Sequence, residues 1–224
     1  MKTSWVCVIV LILGTACTGP PTPDAPDFIR VEGSRLIRNG QPYHFLGTNV
    51  WYGCNLGALA EGGDRDRLIR ELDLLQSLGV DNLRVLGASE GLGQHNTVWP
   101  PLQPEPGVYD QRLLEGLDFL LAEMGKRDMV AVVYLNNYCV WSGGMSQYVS
   151  WFDDEPLPNP FLERYSWLEF MEFSARFYTH TEANGAYRRY IEMLVNRENA
   201  FPGIRYRDDP TIMAWQLGNE PRPG

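Results

Sequence analysis

Thr211-Ile212-Met213-Ala214-Trp215-Gln216-Leu217-Gly218-Asn219-Glu220-Pro221-Arg222 sets an apolar run of strand length directly before an Asn-Glu pair and a proline. Ile, Met, Ala, Trp and Leu without strict alternation fit a strand buried on both faces, as in a parallel sheet covered by helices. Asn82-Leu83-Arg84-Val85-Leu86-Gly87 and the continuous apolar run over 129–135 read the same way. Leu46-Gly47-Thr48-Asn49-Val50-Trp51-Tyr52 supplies a first core strand. Polar residues at the carboxyl ends of such strands are where barrel enzymes place their chemistry.

Helical patterns separate these strands. Asp64 can cap a helix whose Leu68, Leu72, Leu75 and Leu78 recur at helical spacing and which stops at Gly79. Asp110 can cap another, carrying Leu113, Leu117, Leu120 and Met124. A long loop is expected after the third core strand, followed by helical patterns over 165–178 and 186–196. Ahead of the first core strand, short strands at 28–31, 35–38 and 43–45 surround the tight turn Arg38-Asn39-Gly40-Gln41.

Strand-helix alternation with doubly buried strands fits either an open doubly wound sheet or a (β/α)8 TIM barrel. No glycine-rich phosphate fingerprint follows the first core strand, which weakens the nucleotide-binding sheet. The expectation is therefore an α/β chain of the barrel type. It would comprise an N-terminal β-hairpin and roughly the first four strands, with the barrel cut after the fourth.

Composition narrows the partners. Of 224 residues, 44% are hydrophobic, enough for a sizeable core. Nineteen basic against 28 acidic residues give a net charge of −9, which repels phosphate backbones and argues against nucleic acid. The 7 Trp and 11 Tyr read either as large core residues or as platforms for flat ligands. His44, His95 and His180 are scattered without paired ligand spacing, so no metal site is expected, and no sequence feature calls for a cofactor.

The chain opens like an exported protein. Lys2, an apolar run over 5–13 and the small residues Gly14-Thr15-Ala16 read as a signal peptide over residues 1–16. Cys17 follows where a bacterial lipoprotein carries its lipidated cysteine, so a lipid anchor there is the expected membrane contact, with simple secretion as the alternative. Residues 17–27 form a proline-rich tether, and 28–224 the folded barrel part. Of the four cysteines, Cys54 and Cys139 remain in the folded part, and a disulfide between them or two separate thiols are both open. Oligomeric state is not readable.

Gly87-Ala88-Ser89-Glu90-Gly91 fits the G-x-S-x-G spacing of a serine-hydrolase elbow. That elbow needs a helix to begin at the serine, and Gly91, Gly93, Pro100, Pro101, Pro104 and Pro106 deny it. Glu90 and the pair Asp153-Asp154 read as solvated or loop-stabilising.

Phe45-Leu46-Gly47-Thr48-Asn49, Leu83-Arg84-Val85-Leu86-Gly87-Ala88-Ser89-Glu90-Gly91, Trp141-Ser142-Gly143-Gly144-Met145 and Asn219-Glu220-Pro221-Arg222 occur in the order found in one family. From Phe28 to Arg222 the chain resembles glycoside hydrolase family 5, and within it the endo-β-1,4-mannanases of the fungal and plant type. The resemblance implies hydrolysis of β-1,4 links inside mannan, galactomannan or glucomannan, with retention of configuration and no cofactor.

By the same resemblance Glu220 is the general acid/base, and Asn219 hydrogen-bonds the sugar 2-hydroxyl. Arg84 orients the carboxylates, and Arg222 contacts sugar on the leaving-group side. Trp51 and Trp141 are placed as stacking platforms. The sequence departs from the pattern at Cys139-Val140, where relatives usually carry Trp and Glu. The nucleophilic carboxylate is implied on a seventh strand beyond Gly224, so the fragment alone is expected to be inactive. A β-1,4-glucanase of the same clan and a non-catalytic polysaccharide-binding lipoprotein are the alternatives.

Overall fold

The computed structural model describes residues 28–93 and 95–222. The leader, Cys17 and the tether lie outside them.

Three short strands come first: β1 (Arg30–Glu32), β2 (Arg35–Arg38) and β3 (Gln41–Pro42), antiparallel in the order β1-β2-β3. Asn39 and Gly40, with φ of 51° and 70°, make the two-residue turn that hairpin twist favours. The third strand falls earlier than the expected 43–45, because Gln41 and Pro42 pair with Arg38 and Ile37 directly after that turn. Arg38 reaches Asp128, in the turn before the third core strand, at 2.6 Å. The hairpin therefore sits at the amino-terminal end of the parallel sheet. With Asp128 mostly exposed, this pair adds well under about 1 kcal/mol.

The parallel sheet contains β4 (Gly47–Asn49), β5 (Asn82–Leu86), β6 (Val130–Tyr134) and β7 (Ile212–Gln216), in the order β4-β5-β6-β7. Each strand pairs parallel with its predecessor, so all four carboxyl ends lie on one side. β4 is shorter than the expected 46–52. The chain leaves the sheet at Val50, whose N–H still bonds the Arg84 carbonyl, and turns into the helix α1 (Gly53–Gly57).

Asp64 and Asp110 cap α2 (Arg65–Ser77) and α3 (Gln111–Gly125) as the sequence predicts, accepting from the N–H groups of Arg67 and Arg112. The two helices bury different amounts. Leu113, Leu114, Leu117, Leu120, Leu121 and Met124 of α3 are all buried, whereas α2 buries only Leu68 and Leu72 and leaves Leu78 exposed. α3 is enclosed because α1 lies across it at Gly57 and Gly116. A Cβ on either would overlap backbone of the other helix.

After β6 the expected long loop contains a helix, α4 (Gly144–Asp153). Met145, Tyr148 and Val149 give it a buried stripe, which the two glycines at its start disguise in the sequence. α5 (Trp167–Ala175) starts at a capping box formed by Ser166 and Glu169. α6 (Thr181–Val195) starts earlier than the expected 186, because the His180 ring accepts from the Ala183 N–H. Asp153, read from the sequence as solvated or loop-stabilising, ends α4 and pairs with Arg176 and, at 3.0 Å, with His180.

One buried carboxylate ties these parts together. Asp118 of α3 accepts from Arg197 Nε at 2.9 Å and Nη2 at 2.6 Å, and from the Tyr206 hydroxyl at 2.6 Å. Arg197 and Tyr206 precede β7, so this cluster sets where β7 enters the sheet. The carboxylate is completely buried, and losing one partner would cost about 3–5 kcal/mol.

Candidate active site

The carboxyl ends of β4, β5, β6 and β7 converge on one polar network. Arg84 of β5 donates through Nε to Gln216 at 2.8 Å and through Nη2 to Asn219 Oδ1 at 2.8 Å, and reaches Asn49 of β4 at 3.4 Å. Its guanidinium lies 4.2 Å from the centre of the Tyr134 ring. A planar fork can serve several carbonyl oxygens at fixed angles, which an ammonium cannot. Arg84 thus holds Asn219, the residue before Glu220.

Asn219 is held from both sides. Its oxygen accepts from Arg84, and its Nδ2 donates to Asn137 Oδ1 at 2.9 Å. Asn137 also donates to Ser142 Oγ at 3.0 Å and accepts from the Cys139 N–H at 3.0 Å. Backbone bonds from Asn219 to Asn136 and from Tyr138 to Asn219 extend the β6–β7 pairing past the strand ends. The Asn219 side chain is therefore fixed, with a second lone pair on its oxygen still able to accept. Asn137 was not anticipated, although a polar pair, Asn136-Asn137, directly after an apolar strand is the signal that marks it.

Glu220 follows at φ +47°, in the left-handed region, with its side chain 59% exposed. One carboxylate oxygen lies 3.6 Å from Arg222 Nη2 and 3.9 Å from Cys139 Sγ. Burial, reinforced by that carboxylate, raises the Cys139 thiol above its ordinary pKa.

Cys54 and Cys139 are separate thiols, not the disulfide left open by the sequence. Cys54 is buried under α3 and donates to the Leu113 carbonyl at 3.1 Å, whereas Cys139 lies at the strand ends beside Glu220. Two loops that both leave strand ends are here split between the sheet's covered side and its mouth.

Trp51 and Trp141 come together, edge to face, with ring centres 5.6 Å apart. They line a cavity of about 700 Å³ with Tyr52, Asn55, Val98 and Trp99. Trp99 was missed by sequence reading. Its indole donates to Glu61 at 3.1 Å, and the Val98 N–H bonds the Trp141 carbonyl at 2.7 Å. The proline-rich segment that excludes a nucleophile elbow thus builds one wall of this cavity. Ser89 agrees with that exclusion: its buried hydroxyl accepts from the Leu102 N–H at 2.8 Å.

A parallel sheet with an amide–carboxylate pair at one strand end, an arginine clamp and an aromatic cavity falls in the class that its solved neighbours define, (β/α)8 barrels of the glycoside hydrolase type, of which this chain covers about half. The chain belongs to the family described as GH family 5 beta-mannosidase-like, which matches residues 26–224.

A glycoside hydrolase family 5 mannosidase from Rhizomucor miehei superposes with a TM-score of 0.84 at 38% identity, over 89% of this chain and 50% of that one. An endo-1,4-beta-mannanase from the same organism gives a TM-score of 0.67 at 25% identity, over 87% and 49%. A mannan endo-1,4-beta-mannosidase of Solanum lycopersicum is 33% identical over 87% of this chain and 42% of its own length. The chain thus spans about half the length of the relatives it matches.

Proposed function

We propose that this chain is the acid/base-bearing half of a retaining hydrolase of β-1,4-mannosidic links in mannan, galactomannan or glucomannan. The supporting observation is Asn219-Glu220 at the end of β7, clamped by Arg84 and Asn137, with Glu220 beside Cys139 in the same loop that carries Trp141 of the aromatic cavity. In this reading Glu220 protonates the departing glycosidic oxygen and then takes a proton from the water that completes hydrolysis. Asn219 accepts from the sugar 2-hydroxyl, a bond that strengthens as positive charge develops on the ring. Trp51 and Trp141 stack on sugar faces, and Arg222 contacts the leaving-group side.

Retention requires a second carboxylate about 5 Å from the acid. We place it in sequence continuing past Gly224, and the segment alone is then inactive. Export with a lipid anchor at Cys17 completes the proposal, and radiolabelled palmitate incorporation lost in Cys17→Ala tests it.

The test of the function is Glu220→Gln in the full-length protein on carob galactomannan and glucomannan. Turnover that survives the substitution overturns the reading. A second reading concerns chain length. Identity to the mannosidase, 38%, exceeds identity to the endo-mannanase from the same fungus, 25%, and a variant of that mannosidase is solved with the short mannoside mannosyl-fructose, which favours action on short mannosides. Free mannose released without an early fall in galactomannan viscosity supports that action, and a prompt viscosity fall supports the endo reading.

A further inference from the structure

Glu90 lies in the strand-end loop after β5, with a carboxyl only 4% exposed and no role in the reaction described above. Its Oε2 accepts from the Gly144 N–H at 2.9 Å, and its own N–H donates to the Ser142 carbonyl at 2.8 Å. Gly143 and Gly144, with φ of +82° and +60°, pass between Glu90 and Asn137. A Cβ on the first would overlap the Glu90 carbonyl, and on the second the Asn137 carbonyl. From there Asn137 bonds Ser142, the Cys139 N–H and Asn219. The turn that carries Trp141 is thus pinned at one end by Glu90 and at the other by the amide that holds Asn219.

We propose that Glu90 is a positioning residue that works in its uncharged form, locking the Cys139–Gly144 loop, and with it Trp141 and Asn137, against the Asn219-Glu220 strand end. The proposal rests on the site reading given under Proposed function.

The surroundings of Glu90 favour the uncharged form. The second oxygen, Oε1, is buried without a hydrogen-bond partner, which a carboxylic acid tolerates far better than a carboxylate. The titratable groups that feel a charge at Glu90 are tyrosines, Tyr148 of α4 and Tyr187 and Tyr190 of α6, with Tyr109 packed on Tyr190. Among the described residues no cation contributes to its ionisation. Burial pushes the Glu90 carboxyl up to about 8, with only the Gly144 N–H favouring ionisation.

The sign follows from linkage. Between the ordinary carboxylate range and about pH 8 the unfolded chain releases this proton while the folded one keeps it, so stability falls as pH rises through that window. Above about pH 8 the native loop itself acquires an unpaired buried charge.

The experiment compares the full-length wild type with Glu90→Gln and Glu90→Ala from pH 5 to pH 9. It follows Tm, the near-ultraviolet circular dichroism of the tryptophans, and mannotriose affinity in a Glu220→Gln background. Glutamine mimics the protonated acid, so the Tm advantage of Glu90→Gln should grow with pH and level off near pH 8. Its aromatic signal and mannotriose affinity should stay flat, while the wild type loses affinity by about tenfold between pH 7 and pH 9. Glu90→Ala should lose the aromatic signal at every pH. Parallel pH profiles for wild type and Glu90→Gln would overturn the proposal. Absence of mannan turnover in the wild type overturns the functional reading instead, and the Tm and dichroism profiles then still decide about Glu90.

Discussion

β5 ends at Leu86 and β7 at Gln216, and each strand leads to a glutamate at the same spacing, Glu90 and Glu220. Identical residue and identical spacing give opposite environments. Glu90 is enclosed by tyrosines and a glycine turn, and its charge has no counter-ion among the described residues. Glu220 is more than half exposed, beside Arg222 and the Cys139 thiol. The Glu90 carboxyl is enclosed by the 140–144 turn and the segment around 98–103, whereas among the described residues Arg222 and Cys139 stand beside Glu220. Of two carboxyls at barrel strand ends, one is thus enclosed in uncharged surroundings, and the other stands beside a cation and a thiol.

The largest test of that contrast is at Glu220. Removing its proton transfer with Glu220→Gln should lower kcat on galactomannan in the full-length protein by about 10³-fold. A glutamine that retains most of the rate would erase the distinction between the two glutamates.

Next in size is Arg84, which bonds Gln216 and Asn219, the residue before Glu220. Arg84→Ala leaves Asn219 held by Asn137 from one side and should cost about 10²-fold in kcat/KM, since misplacing a reacting group by about an ångström has that effect. Arg84→Lys should recover little, because one ammonium cannot span both amide oxygens. Recovery by lysine would mean that charge, not the fork, is what the site uses.

The smallest effect is read at Cys139. The neighbouring carboxylate helps hold its thiol protonated, so Glu220→Gln should make it more acidic and speed alkylation by iodoacetamide at pH 8 a few-fold. Glu90→Gln should change that rate much less. Equal acceleration by both substitutions would show that the two glutamates are not electrically separate.

Legibility from sequence followed the same divide between strong local signals and long-range closure. Asp64 and Asp110 announced their helices because an acidic cap before a leucine stripe acts within one turn of backbone. Arg84, Asn219 and the two tryptophans were legible through the family resemblance, and the structure bonds Arg84 to Asn219 and sets Trp51 against Trp141. α4 was not, since Gly143-Gly144 reads as a loop until Glu90 and Asn137 are known to crowd it from either side. Glu90 itself looked like a solvated or loop-stabilising acid. Stabilisation was the correct half, and its burial depends on the distant 140–144 turn, which no local pattern reveals. Cys54 and Cys139 failed as a pair for the same reason: both lie beyond strand ends, but α1 turns the first one under α3.

The backbone at Glu220 has a practical corollary. A glutamate at φ +47° gives up about 1 kcal/mol that glycine would not. Glu220→Gly should therefore melt higher than the wild type and cleave nothing. Laboratory selection for heat tolerance alone would drift toward that dead variant, and a screen that scores survival and sugar release together is the one that keeps the enzyme.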